Sequence, residues 1–185
     1  MRIPVPHNAV STDPLTGIGN RQRFFKKLSN LIEQRSADPL PFAVTVFNIR
    51  GFKPINDLFG RQAGDSILAQ TALRLRNAMS DGATVCRMGG DIFAVLQPNV
   101  FTEKEAWSEA ELLMELFAAP YDIGGRSVRI SCSAGSAVFY DVDDDWERFF
   151  QKAETALYTA KEQGRGAIVI HTRQMDDAAK RLTQI

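Results

Sequence analysis

A pair of glycines followed by an acid, Gly89-Gly90-Asp91, lies between two apolar runs at residues 83–86 and 93–96. Glycine supplies the positive φ angles that a tight turn needs, so the pattern predicts a β-hairpin with Asp91 at its tip. A carboxylate at a hairpin tip is well placed to meet a metal ion or a phosphate. Asp91 is therefore a candidate metal ligand.

Three further blocks carry residues that could do chemistry. They are Asp13-Pro14-Leu15-Thr16-Gly17-Ile18-Gly19-Asn20-Arg21, then Phe52-Lys53-Pro54-Ile55-Asn56-Asp57 with Gly60, Gly64 and Asp65, and then Ala156-Leu157-Tyr158-Thr159-Ala160-Lys161-Glu162-Gln163-Gly164-Arg165. Together with the hairpin they resemble, in the same order, the motifs of the GGDEF family of diguanylate cyclases over about residues 13–170. The family signature reads Gly-Gly-(Asp/Glu)-Glu-Phe, and this chain has Gly89-Gly90-Asp91-Ile92-Phe93.

The resemblance implies a palm-like fold similar to nucleotidyl cyclases and polymerases. Members of this bacterial signalling family bring two GTP-loaded domains face to face and make cyclic di-GMP. Phosphoryl transfer of this kind needs divalent cations, here two Mg²⁺, because charge builds on the transferring group. The family supplies the Mg²⁺ ligands from the end of the first long strand and from the hairpin tip, where Asp91 is the expected ligand.

Three of the family's acidic positions are altered at that site. Where the family typically has Asp-x-Asp-x-Phe-Lys, this chain has Asn48-Ile49-Arg50-Gly51-Phe52-Lys53. Asn48 keeps only a neutral carbonyl acceptor, and Arg50 reverses a charge, while Ile92 can neither bind metal nor accept a proton. Asn48 also suits an ordinary strand end, and Ile92 suits a strand interior. The resemblance therefore implies weak or absent Mg²⁺ binding and argues against catalysis.

The positions that match the family's nucleotide contacts, unlike the acidic positions, still carry the family's residue types. Those matching Asn56 and Asp65 recognise guanine in the family, and those matching Lys53, Lys161 and Arg165 face the phosphates; Phe52 belongs to the same segment. Lys161 and Arg165 are four residues apart, which predicts one helical face. The structural alternative is that both cations complement a helix dipole and that Asn56 and Asp65 are helix caps.

The elements that must position these residues follow from periodicity and capping signals. We expect Asn20 to be the N-cap of a helix that carries Phe24, Leu28, Leu31 and Ile32 on one face. A buried strand follows at residues 42–49, and a helix presents Leu68, Ala72, Leu75 and Met79. Thr102 and Glu105 form a capping box for a helix to about Ala118.

Four elements follow in the last third of the chain. We expect a hairpin turn at residues 123–126 and then a half-buried strand with Val128, Ile130, Cys132 and Ala134. A helix with Phe150, Ala153, Leu157 and Ala160 comes next, and a strand at residues 167–170 ends the series.

This order predicts an α+β fold with a central, mostly antiparallel sheet of about five strands flanked by helices. Residues 1–12 are interpreted as a leader or linker and residues 13–170 as the domain. Residues 171–185 resemble, by composition only, the connector that joins a GGDEF domain to an EAL phosphodiesterase domain in composite proteins.

Composition excludes several partners. Lys plus Arg and Asp plus Glu are 22 each, so no net charge draws the chain to nucleic acid or a membrane surface. Neither a signal peptide nor an apolar run near the length of a membrane span is found, and Cys86 and Cys132 suit buried positions in a reducing compartment. We expect a cytoplasmic domain whose parent protein could be membrane-attached.

Three functions are consistent with these residues. The first is a catalytically silent GTP-binding module that regulates cyclic di-GMP signalling inside a larger protein, with an EAL domain as a possible neighbour. The second is a weakly active diguanylate cyclase that relies on Asp91. The third is a nucleotide-free scaffold for dimerisation or interaction.

Overall fold

The computed structural model describes residues 11–34, 40–140, 145–172 and 174–175. Most of the expected leader and of the expected connector therefore lies outside the described residues. The elements are β1 (Gly19–Asn20), α1 (Arg21–Gln34), β2 (Phe42–Arg50), α2 (Phe52–Phe59), α3 (Arg61–Ala78), β3 (Thr84–Gly89), β4 (Ile92–Pro98), α4 (Glu103–Ala118), β5 (Tyr121–Ile123), β6 (Arg126–Val128), β7 (Ser131–Phe139), α5 (Trp146–Gln163) and β8 (Ile168–Ile170).

The main sheet has six strands in the order β1-β3-β4-β2-β7-β8, and β5 pairs with β6 separately. The three central pairs are antiparallel, whereas β1 with β3 and β7 with β8 are parallel. The predicted α+β class with a mostly antiparallel central sheet is confirmed. The sixth strand is the two-residue β1, which is too short to leave a pattern in the sequence.

β2 is central because it is apolar on both faces. Phe47 and Ile49 face one apolar cluster with α3 and α4, and Val44 and Val46 face a second cluster with α1 and α5. Residues 42–49 are all buried, as a short apolar run predicts for a strand covered on both sides. The carboxyl end of β2 therefore carries Asn48 and Arg50 to the edge of a rigid core.

Capping signals locate the helices well. The Asn20 side chain accepts a hydrogen bond from the Arg23 amide at 3.0 Å, so the predicted N-cap of α1 is confirmed. The predicted capping box of Thr102 and Glu105 is also present, and α4 ends at Ala118 as expected. α3 ends one residue before Met79, whose backbone is extended.

One predicted strand is wrong in two respects. Val128 belongs to the small hairpin β5–β6, and the strand with Cys132 and Ala134 begins only at Ser131. β7 is also buried on both faces rather than half-buried, since α5 and α4 both pack on it. Alternating residue types gave the wrong impression because small polar residues, such as Ser133 and Ser136, are fully buried there.

α5 packs on β7 at very short range. A Cβ added to Gly135 would lie 2.0 Å from the backbone nitrogen of Leu157, so only glycine allows this approach. The contact fixes the path of α5, and with it the position of Lys161 in its last turn. No helix in the described part of the chain has the length and apolar character needed to cross a membrane.

Candidate functional site

The predicted signature hairpin is confirmed. β3 and β4 are joined by the two-residue turn Gly90-Asp91, and Gly90 has a φ of 52°. Gly89 pairs with Ile92 across the turn, after an irregularity between Arg87 and Gly89. Phe93 is fully buried and meets Phe117 edge-on at 6.0 Å, so it anchors the hairpin in the core.

Asp91 and Asn48 are hydrogen-bonded to each other. The register of β2 and β4 places Asn48 opposite Ile92, directly beside the turn. The side-chain amide of Asn48 donates to Asp91 Oδ1 at 2.9 Å, and the Ile49 amide donates to the Asp91 carbonyl at 3.1 Å. Both predicted metal positions thus come together, and an N–H group lies where a second carboxylate would face the first.

Ile92 and Arg50 complete this edge. Ile92 is half-buried and packs against the cluster formed with α1 and α5. Side chains alternate along β2, so Val46, Asn48 and Arg50 lie on that same face of the sheet. Within the described residues, the Arg50 guanidinium has neither an ion-pair nor a hydrogen-bond partner.

The residues present do not fit the family's Mg²⁺ site. Mg²⁺ requires oxygen ligands in near-octahedral geometry. Here Asp91 is the one acid at the site, and its Oδ1 already accepts from Asn48, while Arg50 adds a positive charge. The part of the chain that the structure describes contains no group of three or more His, Cys, Asp or Glu residues that could hold a metal ion.

Asn56 and Asp65 lie inside α2 and α3, so neither is a helix cap; the N-cap positions are Gly51 and Gly60. Asn56 Oδ1 is buried and has no hydrogen-bond partner, which is uncommon for a buried acceptor. A Cβ on Gly64 would lie 1.9 Å from that oxygen. Where α2 packs on α3, the unsatisfied Asn56 oxygen therefore lies against Gly64, the residue before Asp65.

The start of α2 and the end of α5 supply positive groups. Gly51, with a φ of 71°, is the N-cap of α2, so the Phe52 and Lys53 amides precede the first helical hydrogen bond, which the Ile55 amide makes to Gly51. Pro54 has no N–H, and the Lys53 side chain is exposed. Lys161 lies in the last turn of α5 and lines a cavity of about 250 Å³ together with Ile92 and Val46. Its position in the last turn also suits a complement to the helix dipole.

The expected shared helical face of Lys161 and Arg165 is wrong. α5 ends at Gln163, and Arg165 follows Gly164 in a turn. The Gly166 amide donates to the Cys132 carbonyl at 3.1 Å, and Cys132 pairs with Ile49 of β2. Arg165 is therefore held by the turn rather than by the helix, at the same end of the sheet as the end of β2 but with β7 between them.

Arg87 is a site residue that sequence reasoning missed. Its guanidinium forms a salt bridge with Asp13 at 3.1 Å, with both side chains 15% exposed, and its Nε donates to the Gly90 carbonyl at 2.9 Å. The entry turn is thereby tied to the tip of the hairpin. Both residues lie within or beside recognised motifs, but nothing in their spacing of 74 positions indicates a contact.

Both cysteines are buried, as predicted, and free. Burial raises the pKa of the Cys86 thiol to about 11, with Arg23 and Lys27 opposing the shift. Burial also raises the pKa of Cys132 far above its ordinary value. Neither thiol is therefore a nucleophile at neutral pH.

Comparison with known proteins agrees with this architecture. The family model described as diguanylate cyclase, GGDEF domain, matches residues 10–167. The diguanylate cyclase DgcP of Pseudomonas aeruginosa is 35% identical over 159 residues, which are 86% of this chain and 24% of that protein. The bifunctional diguanylate cyclase/cyclic di-GMP phosphodiesterase MucR of the same species is 33% identical over 173 residues, or 94% of this chain and 25% of MucR.

A solved structure of the GGDEF domain of TpbB, also called YfiN, from Pseudomonas aeruginosa superposes with a TM-score of 0.83. It is 29% identical, and the match covers 91% of this chain and 99% of that one. The chain spans about a fifth to a quarter of the length of the first curated relatives it matches.

Proposed function

Because the chain belongs to the GGDEF domain family of diguanylate cyclases, we propose that it binds GTP as a catalytically silent regulatory module in cyclic di-GMP signalling. The observation that supports the proposal is the Asn48–Asp91 hydrogen bond, because it engages the carboxylate that the family's pattern would give to metal. The residues that match the family's nucleotide contacts are kept. The domain would act within a longer protein and sense GTP rather than cyclise it.

The guanine end of the site has the right acceptors. Guanine offers N1–H and a 2-amino group as donors, which a carboxylate and an amide oxygen can accept. Asn56 Oδ1 is buried without a partner, and the Asp65 side chain forms no hydrogen bond or ion pair with the described residues. A bound base could donate to Asp65 directly, and to Asn56 once its buried amide group turns away from Gly64.

The phosphate end combines backbone amides with cations. A helix N-terminus attracts phosphate through its free N–H groups and its dipole, and α2 begins at Phe52 directly after Gly51. Lys53, Lys161 and Arg165 add three positive side chains from α2, α5 and the turn after it. None of the three has an ion-pair partner among the described residues.

Cyclisation requires groups that this chain lacks. The transferring phosphoryl group needs cations held by several carboxylates, but Asn48 and Ile92 are uncharged and Arg50 is positive. A weakly active cyclase would have to rely on Asp91 alone, whose Oδ1 is engaged by Asn48. We therefore place the silent module ahead of the weak cyclase.

The regulatory role is supported by the nature of the relatives. MucR is named as both a cyclase and a phosphodiesterase, and PdeR of Escherichia coli, 31% identical over 166 residues, is named as a cyclic di-GMP phosphodiesterase. MucR therefore joins two activities in one chain. An EAL phosphodiesterase domain after residue 185 and a homodimer are the partners that fit this role.

Calorimetric titration of GTP into the domain, with ATP titrated separately as the control nucleotide, tests the proposal. Saturable binding of GTP and not ATP is expected, and Asp65→Asn should abolish it, whereas Asp57→Asn, an exposed acid on α2, should not. Accumulation of cyclic di-GMP during incubation would favour the weak cyclase. Absence of binding at high GTP would leave the scaffold, for which sedimentation should show a nucleotide-independent dimer.

A further inference from the structure

We propose that the site binds guanine nucleotide without a divalent metal ion, and that Arg50 supplies the positive charge that metal ions supply in the family's pattern. The inference rests on the proposed function, because it concerns the same nucleotide. It also explains why the residues at the metal position disagree with the family motif.

The net charge of the residues at the end of β2 and the hairpin tip is the first argument for this inference. The family's pattern places four acids at the positions of Asn48, Arg50, Asp91 and Ile92, and two divalent cations balance them. Here these positions carry one carboxylate, one guanidinium and two uncharged side chains. The site is therefore neutral with no metal present, and a divalent cation would make it positive without adequate ligands.

The geometry carries the second step. Asp91 would repel a phosphate if it were left bare. The Asn48 amide at 2.9 Å and the positive charge of Arg50 on the same face both offset its carboxylate. The function of a cation here, which is to shield acids from phosphates, is thus performed by side chains.

The position of Arg50 carries the third step. Arg50 is opposite Ser131 in β7, one residue from Cys132, whose carbonyl accepts from Gly166 beside Arg165. It also precedes Gly51, where α2 begins. Arg50 therefore lies at the same end of the sheet as the two elements proposed to hold phosphate: the α2 N-terminus follows it directly, and Arg165 lies across β7. A guanidinium there can bind phosphate oxygens in a bidentate manner.

The test is calorimetric titration of GTP into the purified domain in two buffers, one with Mg²⁺ and one with EDTA. Dissociation constants that agree within about threefold support the proposal, since a metal-dependent site would lose far more. Binding in Mg²⁺ only would overturn it while leaving the proposed function intact. No binding in either buffer would overturn both.

Variants separate the role of Arg50 from general charge. In EDTA, Arg50→Ala should weaken GTP binding about tenfold or more, whereas Arg76→Ala, an exposed arginine at the end of α3, should not. The double variant Asn48→Asp/Arg50→Asp should bind GTP only when Mg²⁺ is present. Wild-type affinity of Arg50→Ala in EDTA would overturn the proposal. Circular dichroism confirms that each variant is folded.

Discussion

The side-chain amide of Asn48 donates a hydrogen bond to Oδ1 of Asp91 across the end of β2 and the tip of the β3–β4 hairpin, over 2.9 Å. Asn48 is 8% exposed, so the bond is shielded from water on one side. The main chain strengthens the junction, because the Ile49 amide donates to the Asp91 carbonyl. A side-chain and a main-chain hydrogen bond therefore both hold the hairpin against β2.

Asn48→Asp should destabilise the domain in the absence of metal. The change replaces a donor with a second carboxylate about 3 Å from Asp91, and loss of a hydrogen bond to a charged group costs about 1.5–3 kcal/mol. Thermal unfolding should show a lower Tm in EDTA that millimolar Mg²⁺ partly restores. Asn48→Ala is the control, which should lose stability without gaining a response to Mg²⁺. An unchanged Tm for Asn48→Asp would mean that the hydrogen bond contributes little.

Catalysis should return when the acids are restored together. Asn48→Asp, Arg50→Asp and Ile92→Glu rebuild the family's acid pattern on an unchanged backbone, and Ile92 is only half-buried, so a carboxylate there can reach solvent. Chromatography of incubations with GTP and Mg²⁺ should detect cyclic di-GMP from the triple variant and none from the wild type. Adding Asp91→Ala should remove the product again. A folded triple variant without product would show that more than the metal site has been lost.

Gly64→Ala should impair nucleotide binding more than folding. The new Cβ would meet the Asn56 amide group at 1.9 Å, and that side chain can swing away, while alanine in a helix is favoured by about 1 kcal/mol. GTP affinity should fall with little change in urea midpoint. Gly135→Ala gives the contrast, because its Cβ would meet the backbone of α5 and the domain should unfold at much lower urea. Normal GTP affinity of Gly64→Ala would argue against Asn56 as a base contact.

The sequence predicted those parts of the fold that depend on local signals. Three of these parts depend on only a few neighbouring residues, and each is confirmed: the N-cap at Asn20, the capping box at Thr102 and the buried run of β2. The end of α5 was misjudged because a spacing of four residues does not show where a helix stops. Gly164 was the local signal, since glycine commonly terminates helices.

The contacts across the site could not be read from the sequence. The Asn48–Asp91 bond joins residues 43 positions apart, and the orientation of an amide toward a carboxylate depends on strand register. Resemblance indicated that Asn48 and Asp91 share a site. It gave no reason to expect that they would bond to each other.

The Arg87–Asp13 pair should contribute measurably to stability. Both side chains are mostly buried, and removing one partner leaves the other charge poorly satisfied. Arg87→Met and Asp13→Asn should each lower the free energy of unfolding by about 1–3 kcal/mol, and the double variant should cost less than the sum. Arg148→Met is the matched control, since its pair with Asp145 is exposed and 3.9 Å long. Additive losses in urea titrations would show that the two residues act independently.

Stability should fall between about pH 9 and pH 11 through Cys86. The ordinary thiol pKa is 9.0, and burial raises the pKa of Cys86 to about 11, so in this window the unfolded chain releases a proton that the folded chain retains. Linkage then favours unfolding as pH rises, by about 2 kcal/mol at the top of the window. Urea titrations at pH 8, 9.5 and 11 should show that the free energy of unfolding declines more steeply for the wild type than for Cys86→Ala.

The comparison with Cys86→Ala controls for other buried groups. Burial also raises the pKa values of Cys132 and Tyr121, but these two contribute equally to both proteins and cancel. Parallel declines would mean that Cys86 ionises as readily in the folded domain as in the unfolded chain.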